Sequence, residues 1–199
     1  VLAGQSIMQG QGVVSMDHEK YYNAGKGNLI WSMEHSQSKE KMKHLRDDQG
    51  HWLSPQNVRI RYKQKDQIRS GPLTVGYTGY GGSSHIGPEL QFGHVVGESF
   101  KDREVHLIKT AWGGKSLFKD FRPPSSKGET GKYYTKMVDE IRAGLADFGP
   151  DGYELGGFVW MQGWNDMVDS GTYPDRGNKG GYDKYSEVMA HFIRDVRRE

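Results

Sequence analysis

The sequence predicts an α/β domain, a parallel sheet with helices on both faces, and three observations predict it. From residue 71 onward, stretches with strand patterning alternate with stretches of helical spacing, the order that yields parallel strands joined by crossover helices. The run Gly157-Phe-Val-Trp-Met161 is almost continuously apolar, as expected of a strand covered on both faces. Three strand ends break into polar loops containing glycine, at Gly4-Gln-Ser6, Trp112-Gly-Gly114 and Gln162-Gly-Trp-Asn-Asp166. In a parallel sheet such loops collect at the carboxyl ends of the strands, where ligands bind.

The elements follow in order. Val1-Leu-Ala is the tail of a strand that breaks at Gly4 and delivers Ser6 among glycines, which let the backbone turn sharply and a substrate carbonyl come close. Residues from about 13 to 70 keep no single pattern and read as an irregular insertion. Within it Ser38 to Leu45 is a short charged helix and Asp47-Asp-Gln-Gly50 a turn. Trp52-Leu53 with Val58 to Tyr62 is a small hairpin. The basic run from Arg59 to Arg69 alternates with apolar residues, which marks a solvated strand face rather than a phosphate-binding stripe. Gly71 to Tyr77 is a weak strand leading into the glycine loop Gly79-Tyr-Gly-Gly82. Pro88 to Gly97 is a helix with proline suited to its first turn. Val105 to Ala111 is a strand. Tyr133 to Phe148 is an amphipathic helix with Met137, Val138, Ile141 and Leu145 on one side, closed by Gly149-Pro150. The last helix, Tyr182 to Arg198, buries Tyr185, Val188, Met189, Phe192 and Val196.

At 199 residues the chain is long enough for one α/β domain and short for two. Lys and Arg number 27 against 25 for Asp and Glu, a near balance that argues against a nucleic-acid partner. There is no cysteine, so disulfides, thiolate catalysis and Cys-type zinc sites are excluded. No apolar run approaches membrane-spanning length. Glycine clusters without a fixed period, as loops around a site do. Val1 falls inside a strand and Glu199 closes a helix with no strand after it, so the chain is expected to be a fragment, its sheet incomplete at both ends. Gly113-Gly-Lys-Ser116 fails the P-loop spacing, because Lys109 stands where the first glycine belongs. No His-x-x-x-His or His-Glu-x-x-His pair supports a metal site.

Four blocks, Leu2-Ala-Gly-Gln-Ser6-Ile-Met8, Ile86-Gly-Pro-Glu-Leu90, Lys109-Thr-Ala-Trp-Gly-Gly114 and Trp160-Met-Gln-Gly-Trp-Asn-Asp166, resemble the successive blocks of the sialate O-acetylesterase-like carbohydrate esterases. That group is a branch of the SGNH hydrolases, and the resemblance runs in order over nearly the whole chain. It implies a three-layer α/β/α sandwich with a parallel, flavodoxin-like sheet. The implied chemistry is removal of O-acetyl groups from carbohydrates, of sialate or xylan type, through an acyl-serine intermediate. It implies no cofactor, an acetylated carbohydrate as partner and an extracellular or periplasmic setting.

By the same resemblance Ser6 is the nucleophile, and it needs a base, oxyanion donors and a carboxylate to orient the base. The donors carried over are the Ser6 N–H, the N–H of Gly87 or a neighbouring glycine such as Gly82, and the side-chain amide of Gln162 or Asn165. Gln162 matches the Gln-Gly of the carbohydrate esterases and is favoured; Asn165 matches the Gly-x-Asn-Asp of the wider superfamily. Gln5, Trp112 and Trp164 are candidates for touching substrate, the tryptophans by stacking on a sugar ring or else by plugging the core rim. Tyr80 is a weaker candidate, and Asp166 is expected to brace the third-block loop. The family's base is the histidine of an Asp-x-x-His pair near the C-terminus, and no such pair follows the third block. His18, His85 and His94 read as structural or surface residues, so the chain is expected to be hydrolytically crippled as it stands. Ile7 replaces the asparagine usual after the serine. The competing reading is a non-catalytic carbohydrate-binding module on the esterase scaffold. A lipase-type esterase would require an apolar acyl pocket that these polar loops do not suggest.

Overall fold

A computed structural model describes residues 1–149 and 152–199; the Pro150 of the expected helix stop lies outside the described residues. In chain order the elements are β1 (Leu2–Gly4), α1 (Ser6–Gln9), β2 (Gly12–Val13), α2 (Leu29–His35), a 3-10 helix (Lys39–Leu45), β3 (Val58–Gln64) and β4 (Gln67–Pro72). A 3-10 turn (Gly82–Ser84), β5 (His85–Ile86), α3 (Glu89–Ser99), β6 (Val105–Ala111) and α4 (Lys132–Leu145) follow. The chain continues through a 3-10 turn (Ala146–Phe148), β7 (Val159–Met161), α5 (Trp164–Val168) and α6 (Asp183–Val196).

The central sheet has the strand order β4-β3-β6-β1-β7, and β2 and β5 form a separate two-stranded antiparallel ribbon. β3 pairs parallel with β6 and antiparallel with β4. Along β1 and β7 the bonds from Val159 N–H to the Val1 carbonyl and from Gln5 N–H to the Met161 carbonyl advance in the same direction, the mark of a parallel pair. The protein is thus mixed α/β with a mostly parallel central sheet flanked by helices, as the alternation of elements predicts.

The chain divides into two compact units. One comprises Val1, Ala3–Ser6 and Thr110–Glu199; the other comprises Leu2 and Ile7–Lys109. The core of the first gathers Ala3, Leu117, Phe121, Tyr134, Met137, Val138, Val188 and Phe192, with Trp160 and Ile141 packed against it. On α4, Tyr134, Met137, Val138 and Ile141 recur at helical spacing, and on α6 Tyr185, Val188, Met189 and Phe192 do the same, so each helix turns one stripe inward. Each fully buried aliphatic or aromatic side chain contributes about 1.5–3 kcal/mol. β7 departs from expectation: it ends the strand order, its residues are half-buried, and Met161 is exposed. A continuous apolar run reports that a strand would gain from cover on both faces; it does not supply the cover.

The second unit is organised around Val14, Leu45, Val75 and Leu90, with Ile30, Met33, Met42 and Trp52 against them. Within residues 13–70, past the end of β2, the regular elements are α2, the 3-10 helix, β3 and the start of β4, and the rest is turn and loop. The carboxamide oxygen of Asn28 caps α2 by accepting from the Trp31 N–H at 2.9 Å. The segment 39–45 is helical, but of the 3-10 kind. The hairpin partner of β3 is β4 rather than Trp52-Leu53, with Gln64 opposite Gln67, while Trp52 bridges to Arg46. The turn escapes a search for Asn-Gly or Asp-Gly because Lys65 itself takes the left-handed φ of +53°. Along β3, Val58, Ile60 and Tyr62 are buried and Arg59 is exposed, the alternation read from the basic run. α3 lies close against β3 because Gly93 and Gly97 face it; a Cβ at Gly97 would stand 2.5 Å from a Val58 methyl.

Candidate active site

Ser6 owes its presentation to Gly4. β1 ends there at φ +154°, and a Cβ on Gly4 would lie 2.1 Å from the Met161 carbonyl oxygen, so the strand can turn beside β7 only without a side chain. The Gly4 carbonyl accepts from the Trp112 N–H at 3.1 Å. Gln5 then enters the interior with 0 % of its surface exposed, and Ser6 opens α1 partly exposed. Strand, tight turn and helix deliver the hydroxyl to the surface.

The side chain of Gln5 joins the first loop to the third. Its Nε2 donates to Ser6 Oγ at 3.4 Å and to Asn165 Oδ1 at 3.0 Å. Its Oε1 accepts from the N–H groups of Gly163 at 3.0 Å and Asn165 at 3.3 Å. The Ser6 hydroxyl and the Asn165 amide therefore share one donor and lie no farther apart than those two bonds laid end to end. The Trp112–Gly114 loop is tied in just beyond its glycines, where Gln162 Nε2 donates to the Lys115 carbonyl at 3.1 Å. All three polar loops thus meet within the first unit.

Asp166 braces this assembly, as its place in the third block suggests. Its carboxylate is 1 % exposed and accepts from the Leu117 N–H at 2.7 Å, the Phe118 N–H at 3.0 Å, Gln162 Nε2 at 2.6 Å and the Tyr173 hydroxyl at 3.0 Å. Burial, and then the Asp166 charge, push the Tyr173 hydroxyl well above its ordinary pKa, so it remains a donor. Burial and Asp166 act in the same direction on Tyr185. The Tyr185 hydroxyl donates to the Gln162 carbonyl and to its Oε1, each at 3.3 Å.

The two candidate amide donors consequently differ. Gln162 has both ends of its side chain engaged, the nitrogen on Lys115 and Asp166 and the oxygen on Tyr185. Asn165 is held through its oxygen and its backbone N–H, while its Nδ2 makes no hydrogen bond among the described residues. The four-residue spacing of Gln162 and Asp166 was the signal in the sequence that the first amide has a local partner.

The remaining candidates fall as follows. Trp164 is 60 % exposed on α5. Trp112 instead packs against Phe121 and Tyr133 at the core rim, with Lys136 Nζ 4.9 Å from its ring centroid. Ile7, directly after the serine, is 53 % exposed. Gly87 belongs to the second unit, where its N–H donates to Glu89 Oε1 at 2.9 Å; Gly82 lies in a 3-10 turn of that unit at φ +56°. The Tyr80 carbonyl accepts from the Thr78 hydroxyl at 2.5 Å. Among the described residues, the Ser6 hydroxyl is hydrogen-bonded to Gln5 and to no histidine. His18 accepts from the N–H groups of Lys20 and Tyr21, His85 bonds Ser84, and His94 stacks at a tilt on His44. In the unit that holds Ser6, the histidine is His191, bonded to the Ser125 hydroxyl at 2.8 Å. The spelling Asp-x-x-His does occur at Asp48-Gln-Gly-His51, ahead of the second block, where it forms a turn. It is the neighbouring Asp47 whose carboxylate collects the Gln49 and His51 N–H groups and the His51 ring. A buried ion pair, Glu89 with Lys109, is absent from the residues singled out by spacing alone.

With this geometry in view, comparison with known proteins is specific. The family described as carbohydrate esterase, sialic acid-specific acetylesterase, matches residues 1–199. No curated protein sequence matches. Among solved structures, a protein from Arabidopsis thaliana shares 17 % identity at a TM-score of 0.54 over 99 % of this chain and 66 % of its own, which shows the fold. This chain thus spans slightly under two thirds of that protein's length. A carbohydrate acetylesterase from Xanthomonas citri shares 10 % identity at a TM-score of 0.38, over 97 % of this chain and 37 % of its own. The family match spans the chain from the β1 turn that presents Ser6 to the end of α6, and the chain belongs to the sialic acid-specific acetylesterase family of carbohydrate esterases.

Proposed function

We propose that the protein is a carbohydrate O-acetylesterase in which Ser6 attacks the acetyl carbonyl and is transiently acylated. The observation that carries the reading is the buried Gln5 amide, which holds the Ser6 hydroxyl and the Asn165 amide in one polar network. A serine at the start of a helix presents its own N–H outward, and the uncommitted Nδ2 of Asn165 is the side-chain donor best placed to join it in stabilising an oxyanion. The Gly87 N–H, which the family blocks suggest as a backbone donor, is given to Glu89 Oε1 in this structure. The exposed face of Trp164 suits the apolar face of a pyranose, and the polar, glycine-containing loops that carry Ser6 and Asn165 suit an acetyl group better than a long acyl chain. An imidazole reaching the hydroxyl would complete the set, and the family blocks put it on an Asp-x-x-His beyond the third block.

The test is hydrolysis of p-nitrophenyl acetate, acetylated xylan and O-acetylated sialic acid by the full-length protein and by Ser6→Ala. Release of acetate that disappears in the variant supports the reading; release that persists overturns it. The amide, rather than imidazole, partner of Ser6 favours a second reading, a sugar-binding module without turnover. That reading predicts binding of the same sugars, equal in both proteins, with no acetate released.

A further inference from the structure

We infer that the buried Glu89–Lys109 ion pair is a positioning device for the nucleophile helix and the Gly87 loop rather than a stabiliser of the fold; the inference rests on the esterase reading above. The two side chains are 0 % and 1 % exposed at Lys109 and Glu89, with Nζ and Oε2 2.7 Å apart. Taking both charges out of water costs about as much as their attraction returns, and apolar residues of similar volume usually serve a core as well or better. What an apolar pair cannot do is bind backbone. Lys109 donates to the Tyr77 carbonyl at 2.7 Å and to the Gln9 carbonyl at 3.3 Å, so together with Glu89 its three donors are all used. Glu89 Oε1 takes the Gly87 N–H at 2.9 Å.

Among the pinned groups is the end of the helix that the proposed chemistry needs held. Gln9 is the last residue of α1, whose first residue is Ser6, so the ammonium sits at the carbonyl end of the nucleophile's own helix. The Gln9 carbonyl also accepts from the Gly79 N–H at 3.1 Å, which ties the glycine loop to the same point. Gly10 and Gly87 are packed so tightly that a Cβ on Gly10 would stand 3.0 Å from the Gly87 nitrogen. The glycines of these turns offer only backbone to bind, and the ion pair ties the backbone at Gln9, Tyr77 and Gly87 together. Burial draws the Lys109 ammonium below its ordinary pKa, and Glu89 is the counter-charge that opposes the shift.

The experiment compares the full-length protein with the double variant E89Q/K109M, which removes both charges at similar volume and strands neither. Three quantities are read: the melting temperature, kcat and KM for p-nitrophenyl acetate per folded molecule, and amide hydrogen exchange. The expected result is a folded variant whose kcat is lower by about tenfold or more while KM changes by less than about threefold, since a small displacement of a reacting group costs turnover steeply. Exchange at Met8–Gly10 and Gly87 quickens by about tenfold, with α4 and α6 unchanged. A variant that fails to fold, or that melts lower with kcat per folded molecule intact, overturns the inference and makes the pair a stabiliser. If the parent shows no Ser6-dependent hydrolysis, the esterase reading fails instead. The exchange arm then still decides the pinning: unchanged protection at Gly87 and Met8–Gly10 overturns it.

Discussion

Replacing Gln162 and Asn165 by alanine, one at a time, should separate a brace from a catalytic donor. Gln162→Ala deletes bonds to the Lys115 carbonyl and to the buried Asp166 carboxylate, and leaves the Tyr185 hydroxyl without its Oε1 acceptor. A neutral bond is worth about 1 kcal/mol net and one to a charged group about 1.5–3 kcal/mol, so the loss is about 3–5 kcal/mol. For a chain of this size each kcal/mol moves the melting temperature by about 2–4 °C, which gives a fall of about 10 °C. Asn165→Ala deletes one bond, to Gln5 Nε2, and keeps the backbone bond to Gln5 Oε1, so it should cost about 1 kcal/mol of stability. If Nδ2 binds the oxyanion, however, kcat falls by about a hundredfold to a thousandfold, equivalent to about 2.7–4 kcal/mol of transition-state binding. Scanning calorimetry and p-nitrophenyl acetate kinetics on the full-length variants read both quantities. The opposite pattern, in which Asn165→Ala keeps its turnover and Gln162→Ala loses it at an unchanged melting temperature, would refute the assignment.

Four further outcomes are expected. Asp166→Ala strips the acceptor from four donors, two of them backbone N–H groups, and should lower stability by about 3–5 kcal/mol; a melting temperature within about 2 °C of the parent would contradict the bracing role. Gly4→Ala drives a methyl into the Met161 carbonyl at an unfavourable φ, so the variant should lose both stability and reactivity of Ser6 toward a fluorophosphonate, and a parent-like variant would show that the turn tolerates a side chain. Burial, with His44 as the second cause, holds His94 below its ordinary 6.5, so the unfolded chain takes up a proton that the folded chain resists. Stability present above that value should decline as pH falls through it towards the folded pKa, and urea midpoints measured against pH should show the decline flattened in His94→Leu. Trp164→Ala should raise KM for acetylated xylo-oligosaccharides while leaving p-nitrophenyl acetate nearly unchanged; equal effects on both would remove the stacking role.

The sequence by itself determined the alternation of elements, the inward stripes of α4 and α6 and the residues that belong at the loop ends. Those properties are local: a 3.6-residue period, a β-patterned run and a glycine at a turn depend on near neighbours along the chain. Val105–Ala111 is recovered to the residue, and the last helix nearly so, because their patterns are long and uninterrupted. Residues 13–70 yielded less, since a left-handed Lys65 and an Asn28 cap carry no strong spelling, and the partner of β3 was a matter of pairing rather than propensity.

Only the tertiary structure decided what each polar side chain does. Gln162 and Asn165 are both amides three residues apart, equally able to stabilise an anion on paper. Asp166, held by the N–H groups of Leu117 and Phe118 that lie 49 and 48 positions away, is fixed where it commits one of them, and the other's nitrogen stays uncommitted. The same holds for Gln5, whose amide spans 160 positions of sequence to reach Asn165, and for Glu89 and Lys109, which are 20 positions apart and unremarkable until both are found sealed from water. A buried polar group must be satisfied by whatever donor or acceptor the fold brings to it, and that choice is made by packing between distant segments, which no local pattern records.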